Sequence, residues 1–378
     1  MIILIILDFT SCKSEVSEPV SDIEAQYFED YIEPDYKWGF INRSGRPTIE
    51  AIYDDVRDAR SNLIAANYKG KWGYIDQNGK TKIEHRYKQV LDFSENRSFV
   101  QDFNHNWKLI NQSGDSIKSM RYSSFKPFQD GYSIVQFANR YGTIDLNGDE
   151  RLQLVYSKLK YLYGGIFIAR SNEKYGLINT SGLMILPFEY DAIYPSKVDN
   201  IRIKKNGLYS YYNTKTKNLS PFQYDKNYDF DGEVALVKVD DNFMTIDRNL
   251  KVVHQFEFSF MEPIDNGLIK YKTQSALYGI VDYSGNEISE PKFELLNRYR
   301  SGLIVYSNNN LFGYLDEAGQ IILPPILPLV WDFNEDLARV MAINGIGFIN
   351  KQGKLVIEDR FFEVRDFFND IARYQSMR

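Results

Sequence analysis

The chain has 378 residues, with 43% apolar and 25% charged side chains, enough to bury a substantial core and more than one ordinary domain holds. A net charge of −6 argues against a general nucleic-acid binder, which needs a basic surface to displace counterions from phosphates. Three histidines (His85, His105, His254) and one cysteine leave little for a metal site or a nucleophile–base pair and exclude an internal disulfide. Aromatic residues make up 15%, with 28 Tyr and 25 Phe, a bias that suits the half-buried face of a β-sheet.

Residues 1–7 read MIILIIL, and Thr10, Ser11 and Cys12 follow shortly after. An apolar run ending in small residues before a Cys resembles the lipobox of bacterial lipoprotein signal peptides, although Phe9 stands where that family has an aliphatic residue. The resemblance implies lipidation at Cys12 and a place in the cell envelope, periplasmic or surface-exposed. The run is short and no Lys or Arg precedes it, as expected if translation starts upstream of Met1. The alternative is that residues 1–7 are a buried strand, Cys12 is incidental and the protein is cytoplasmic. Residues 14–36 hold eight carboxylates and no Lys or Arg before Lys37, which reads as a solvated tether. The division is therefore 1–12 signal-like, 13–36 acidic linker and 37–378 a repeat array.

The repeat is defined by WGFINRSG (38–45), WGYIDQNG (72–79), WKLINQSG (107–114), YGTIDLNG (141–148), YGLINTSG (175–182), YGIVDYSG (278–285), FGYLDEAG (312–319) and IGFINKQG (346–353). Degenerate copies, YSYYNTKT (209–216) and FMTIDRNL (243–250), fill the gap, so ten anchors follow one another at 34 or 35 residues. Four residues after every anchor stands Asn or Asp, and Gly follows three later in eight copies. That spacing specifies a type I turn closed by a left-handed residue. The Gly directly after the anchor, present in seven copies, is expected where a backbone or ring comes close. Fifteen residues past each anchor comes a second row, Tyr53, Tyr87, Tyr122, Tyr156, Tyr190, Tyr224, Phe258, Phe293, Leu327 and Phe361. Both rows are expected to be core, with the Tyr hydroxyls capping backbone groups at a bend marked by Pro187, Pro221, Pro291 and Pro325. Each unit then reads as a three-stranded meander with no sustained helical period.

These octapeptides resemble the WG (KWG) repeats of bacterial proteins over residues 38 to about 378, roughly nine tenths of the chain. The resemblance implies an all-β repeat fold and an interaction module without a common catalytic residue. Ten copies exceed the usual four to eight blades of a propeller, and 34 residues is short for a four-stranded blade. The expectation is therefore an open, solenoid-like or superhelical array, with a closed propeller-like toroid as the alternative. The segments 32–36 (IEPDY) and 371–375 (IARYQ) both look like a unit's last strand and leave closure undecided.

The Asx row could form a calcium ladder, but half of it is neutral Asn and the turn explains it, so no metal or cofactor is expected. No phosphate loop, paired His ligands or catalytic triad is evident, and the chain reads as a non-enzymatic scaffold for a protein or peptide at the envelope. The alternative is a carbohydrate-binding lipoprotein; nucleic acid is not expected, and membrane contact would come only through the lipid. Binding residues are unknown beyond loop positions that vary between copies: Arg57, Arg60, Arg97, Lys126, Arg298 and Arg300.

Overall fold

The computed structural model describes residues 35–377 apart from 197 and 275. Cys12, the apolar run and nearly all of the acidic stretch lie outside the described residues. Residues 36–376 form one compact unit of ten four-stranded antiparallel sheets. Nine sheets are made of consecutive strands, and we number them as blades 1 to 9. Blade 1 runs from Asp55 to Tyr87, blade 4 from Lys158 to Tyr190, and blade 9 from Leu329 to Phe361.

The tenth sheet closes the ring. Strand β1 (Tyr36–Asn42) and β2 (Pro47–Tyr53) pair onto the last two strands of the chain, β39 (Glu363–Val364) and β40 (Ile371–Met377), in the order β2-β1-β40-β39. The architecture is a ten-bladed β-propeller ring, which corrects the expected open array. Two features of the sequence misled. A 34-residue repeat can supply four strands because the first strand is only two residues long in six blades. And of the two look-alike terminal segments, 371–375 is used as a blade's second strand while Tyr36 already belongs to β1, the third.

The sequence repeat and the blade are offset. The segment read as one long strand bending at the second aromatic row breaks after it: the fourth strand ends at Tyr53, Tyr87 or Tyr190, and one residue later the next blade begins. The three-stranded meander is thus corrected to four strands shared across a blade boundary. Stacking follows from this sharing. Leu63, Ala65 and Tyr74 of blade 1 pack with Val90, Val100 and Ile110 of blade 2, so neither sheet covers its apolar face alone. At the seam, Phe40 joins Val56 and Ile64 of blade 1, while Ile41 joins Ile346 and Phe348 of blade 9.

The turn chemistry is as the motif requires. Asp76 Oδ1 accepts from the N–H groups of Asn78 (3.0 Å) and Lys80 (2.9 Å), and Gly79 sits at φ 80°. The degenerate copy at 243 keeps this turn, with Leu250 forced to φ 64°, whereas the copy at 209 bonds Asn213 to Lys215 and Thr216 and puts Lys217 in the left-handed region. The Gly after the anchor faces a bulge in the fourth strand, between Trp72↔Tyr87 and Tyr74↔Ile83. A Cβ on Gly73 would lie 2.6 Å from the Ile83 carbonyl oxygen, and one on Gly279 would lie 2.6 Å from the Tyr271 ring. Pro187, Pro291 and Pro325 fall within these bulged edge strands, where no ladder N–H is lost.

The aromatic rows divide. The second row is largely buried, as at Tyr53, Tyr190, Tyr224 and Phe293. Its hydroxyls do not cap the bend, however: Tyr53 reaches only to 3.5 Å from the Gly79 carbonyl of the neighbouring blade, and the Tyr224 hydroxyl is buried without a partner. The anchors are mostly half-buried rather than core, with basic groups over their rings, Arg373 over Trp38 at 5.3 Å and Arg57 over Trp72 at 5.6 Å.

Candidate functional site at the loop face

The first strands line the ring axis, and each is followed by a loop that emerges on the same face as the Asx turns. The loop tips carry acidic or amide residues in the left-handed conformation, among them Glu95, Asp130, Glu335, Asp336, Asn369 and Asp370. An acid of one loop accepts from a backbone N–H of the next: Gly131 to Glu95 Oε2 at 2.8 Å, Gly267 to Asp231 Oδ2 at 2.6 Å, Asn369 to Glu335 Oε1 at 2.7 Å. Loop tips with φ above zero expose these N–H groups, and the neighbour's carboxylate satisfies them.

Beneath the tips, arginines join successive blades. Arg339 places Nη1 3.2 Å from the Val364 carbonyl oxygen and Nε 2.6 Å from Asp366. Arg202 does the same with Asn227 (3.2 Å) and Asp229 (2.8 Å), and Arg373 with Val56 (2.6 Å) and Asp58 (2.8 Å). Arg57 adds a rung from a different position, 3.2 Å from the Val90 carbonyl oxygen and 3.7 Å from Asp92. Burial raises the Asp92 carboxyl above its ordinary value, with Arg57 opposing. Farther from the axis, buried tyrosine hydroxyls make the same crossing: Tyr74 to the Leu91 carbonyl at 2.6 Å, Tyr211 to Tyr228 at 2.6 Å and Tyr314 to Trp331 at 2.7 Å.

The loop residues singled out from the sequence sort accordingly. Arg57 belongs to a rung; Arg60 lies 3.3 Å from Asp58 and over the Phe368 ring at 3.8 Å; Arg97 donates to the Leu146 carbonyl at 2.8 Å. The Lys126 carbonyl accepts from Ser133 at 2.6 Å. Arg57 and Lys126 also border smaller concavities, and Arg298 and Arg300 open onto a larger cleft. The rung acids were legible in principle, since Asp58, Asp92, Asp229 and Asp366 all stand twenty residues past an anchor.

That cleft lies where the repeat symmetry breaks. In blades 4, 7 and 8 the first strand runs for six residues, Lys158–Tyr163, Phe260–Asp265 and Leu295–Arg300, against two or three elsewhere. The extended strands and the loops between them enclose about 720 Å³, spanning blades 4 to 8. Leu162, Pro195 and Val198 form one end, Asp229, Asp231 and Asp265 the middle, and Arg298, Tyr299 and Arg300 the other end. A register irregularity between Leu296 and Tyr299 re-aims the strand carrying Arg298.

Internal pairing accounts for much of this charge. Asp229 is held by Arg202, and Asp265 lies 3.1 Å from Arg300. Asp231 accepts only backbone N–H groups, and Arg298 is exposed with no ion pair among the described residues. Below them Tyr283 is 5% exposed and its hydroxyl has no hydrogen-bond partner. Burial, then the charges of Asp231, Asp265 and Asp229, hold that hydroxyl far above the ordinary phenol range. Among the described residues no group of three or more His, Cys, Asp or Glu could hold a metal ion. The Asx oxygens are occupied by the turn N–H groups, as at Asp76 and Asp316.

Solved structures similar in fold include BamB from Moraxella catarrhalis, at 10% identity over 75% of this chain and 98% of that one, with a TM-score of 0.33. A eukaryotic initiation factor matches at 12% identity over 91% of this chain and 98% of its own, with a TM-score of 0.42. AztD from Citrobacter koseri matches at 9% identity over 76% and 94%, with a TM-score of 0.33. Such distant likenesses carry no functional argument. A search of curated proteins finds no match. Nine stretches match the WG containing repeat: 38–72, 72–107, 109–141, 141–175, 175–209, 209–243, 278–312, 312–345 and 346–376. Only the copy anchored at Phe243 goes unmatched, and the chain belongs to the WG containing repeat family.

Proposed function

We propose that the ring is a non-enzymatic scaffold that binds a protein or peptide through the cleft of blades 4 to 8. The observation that carries this reading is the break in symmetry: contacts between blades repeat around the ring, whereas the extended first strands of blades 4, 7 and 8 bring Leu162, Asp265, Arg298 and Arg300 together with the loops of blades 5 and 6 in one cleft. A reaction centre would need a base, a nucleophile and an orienting group in reach of one another. The cleft instead offers carboxylates and guanidiniums largely paired to each other, which suits recognition. We further propose a place at the cell envelope, tethered through Cys12, on the strength of the apolar run and the acidic stretch that follows.

The test is crosslinking and pull-down of the tagged full-length protein from its own cells, beside a Cys12→Ala form. Defined proteins recovered from the membrane fraction only with Cys12 intact support the tethered scaffold. Recovery of glycan in place of protein would sink the peptide reading. Substrate turnover by purified protein, abolished by one point substitution, would sink the scaffold itself.

A further inference from the structure

We infer that the cleft recognises a mixed-charge peptide segment, with one basic side chain meeting Asp231 and one acidic side chain meeting Arg298. The inference rests on the binding reading above and deepens it to a ligand class. After internal pairing the five charged residues of the cleft leave one anion and one cation uncompensated, Asp231 and Arg298. Both reach the same concavity from neighbouring parts of the ring, blades 6 and 8.

The surroundings sharpen both ends. Asp229 and Asp265 flank Asp231, so the local potential favours a cation even though each has its own arginine. Gly267 N–H occupies one carboxylate oxygen of Asp231 at 2.6 Å and fixes its orientation, and the carboxylate keeps further acceptor capacity for an ammonium or guanidinium. At the other end Arg300 is paired with Asp265 at 3.1 Å and lines the same cleft as Arg298. Tyr299 is held in place by its hydroxyl on Glu317 at 3.2 Å. Leu162, Pro195 and Val198 supply an apolar shelf for the rest of the segment. A purely anionic ligand would meet three carboxylates, and a purely cationic one would leave Arg298 uncompensated; a segment carrying both charges meets neither cost.

The experiment titrates end-blocked Gly/Ser octapeptides bearing one Lys and one Glu, one to four residues apart, into the full chain by calorimetry. Controls replace Lys, Glu or both by Gln. At one spacing the mixed-charge peptide should bind roughly fivefold more tightly than either single-charge control, the scale of a partly exposed ion pair. Arg298→Gln should erase the advantage of Glu and leave that of Lys; Asp231→Asn should do the reverse. Neither variant threatens the fold, because Arg298 makes no ion pair among the described residues and an Asn oxygen can still accept from Gly267. Equal binding of all peptides, or no binding at any spacing, overturns the inference. So does a partner captured by pull-down whose recovery is unchanged in the R298Q/D231N double variant, and in that case the scaffold reading stands without it. Peptide binding with no captured partner would have the opposite meaning, supporting the recognition chemistry while the scaffold reading fails.

Discussion

Arg339 Nε lies 2.6 Å from Asp366 Oδ1, across the boundary between blade 9 and the closing blade, while the same guanidinium donates to the Val364 carbonyl. One buried side chain thus satisfies a backbone acceptor and a carboxylate of the neighbouring blade. The Arg202 rung repeats the arrangement, and Arg373 donates to the Val56 carbonyl while forming an ion pair with Asp58, so these boundaries are held by polar contacts inside an otherwise apolar stack.

Arg339→Met keeps the bulk of the stem but leaves Asp366 and the Val364 carbonyl without their donor. Breaking a largely buried pair from one side should cost about 2–4 kcal/mol, read as a lower urea midpoint with little change in far-UV signal. Arg339→Lys should recover only part of it, since an ammonium cannot serve both acceptors in one fork.

Gly73→Ala tests the close approach at the bulge. The added methyl would lie 2.6 Å from the Ile83 carbonyl oxygen and 2.8 Å from the His85 nitrogen, both backbone atoms that cannot swing aside. The expected loss is about 1–3 kcal/mol in chemical denaturation. A Gly70→Ala control has open space around its Cβ and suffers only the strain of φ 75°.

Phe40 and Phe348 occupy the same repeat position, two residues after their anchors, and both are fully buried, Phe40 against blade 1 and Phe348 against the closing blade. Truncation of either to Ala should cost about 3–5 kcal/mol. Losses of that size at both would mean that the two boundaries of the closing blade are packed as tightly as a core. Almost no loss at either would show that the terminal strands detach in solution.

Burial lowers the pKa of His85 below 6.5; its Nε2 has no partner and its ring lies 6.0 Å from that of Tyr53. The unfolded chain therefore takes up a proton there before the folded chain does. Stability from keeping His85 neutral is complete above pH 6.5 and declines as pH falls below it through the depressed folded value. His85→Phe should flatten the fall in unfolding midpoint between about pH 7.5 and 5, and an unchanged slope would assign the acid sensitivity to other groups.

Much of the local structure was legible in the chain itself. The Asx turns, the Gly facing a bulge and the unit length follow from spacing, because turn geometry and strand sterics act over a few residues. The buried second row was legible as well, since a position that repeats in every unit meets the same neighbour in every unit. What the chain alone could not show was closure. Residues 32–36 and 371–375 offer the same strand pattern, and only the pairing of Tyr36–Asn42 with Ile371–Met377 across more than 300 residues selects the ring. The half-burial of the anchor rings likewise depends on which basic side chain arrives over them, such as Arg373 over Trp38. The cleft was out of reach for the same reason. Asp231 and Arg298 are 67 positions apart, and their joint vacancy depends on Arg202 and Arg300 having already claimed Asp229 and Asp265. Short-range sterics are written along the chain, whereas charge compensation is settled only when distant blades are brought side by side.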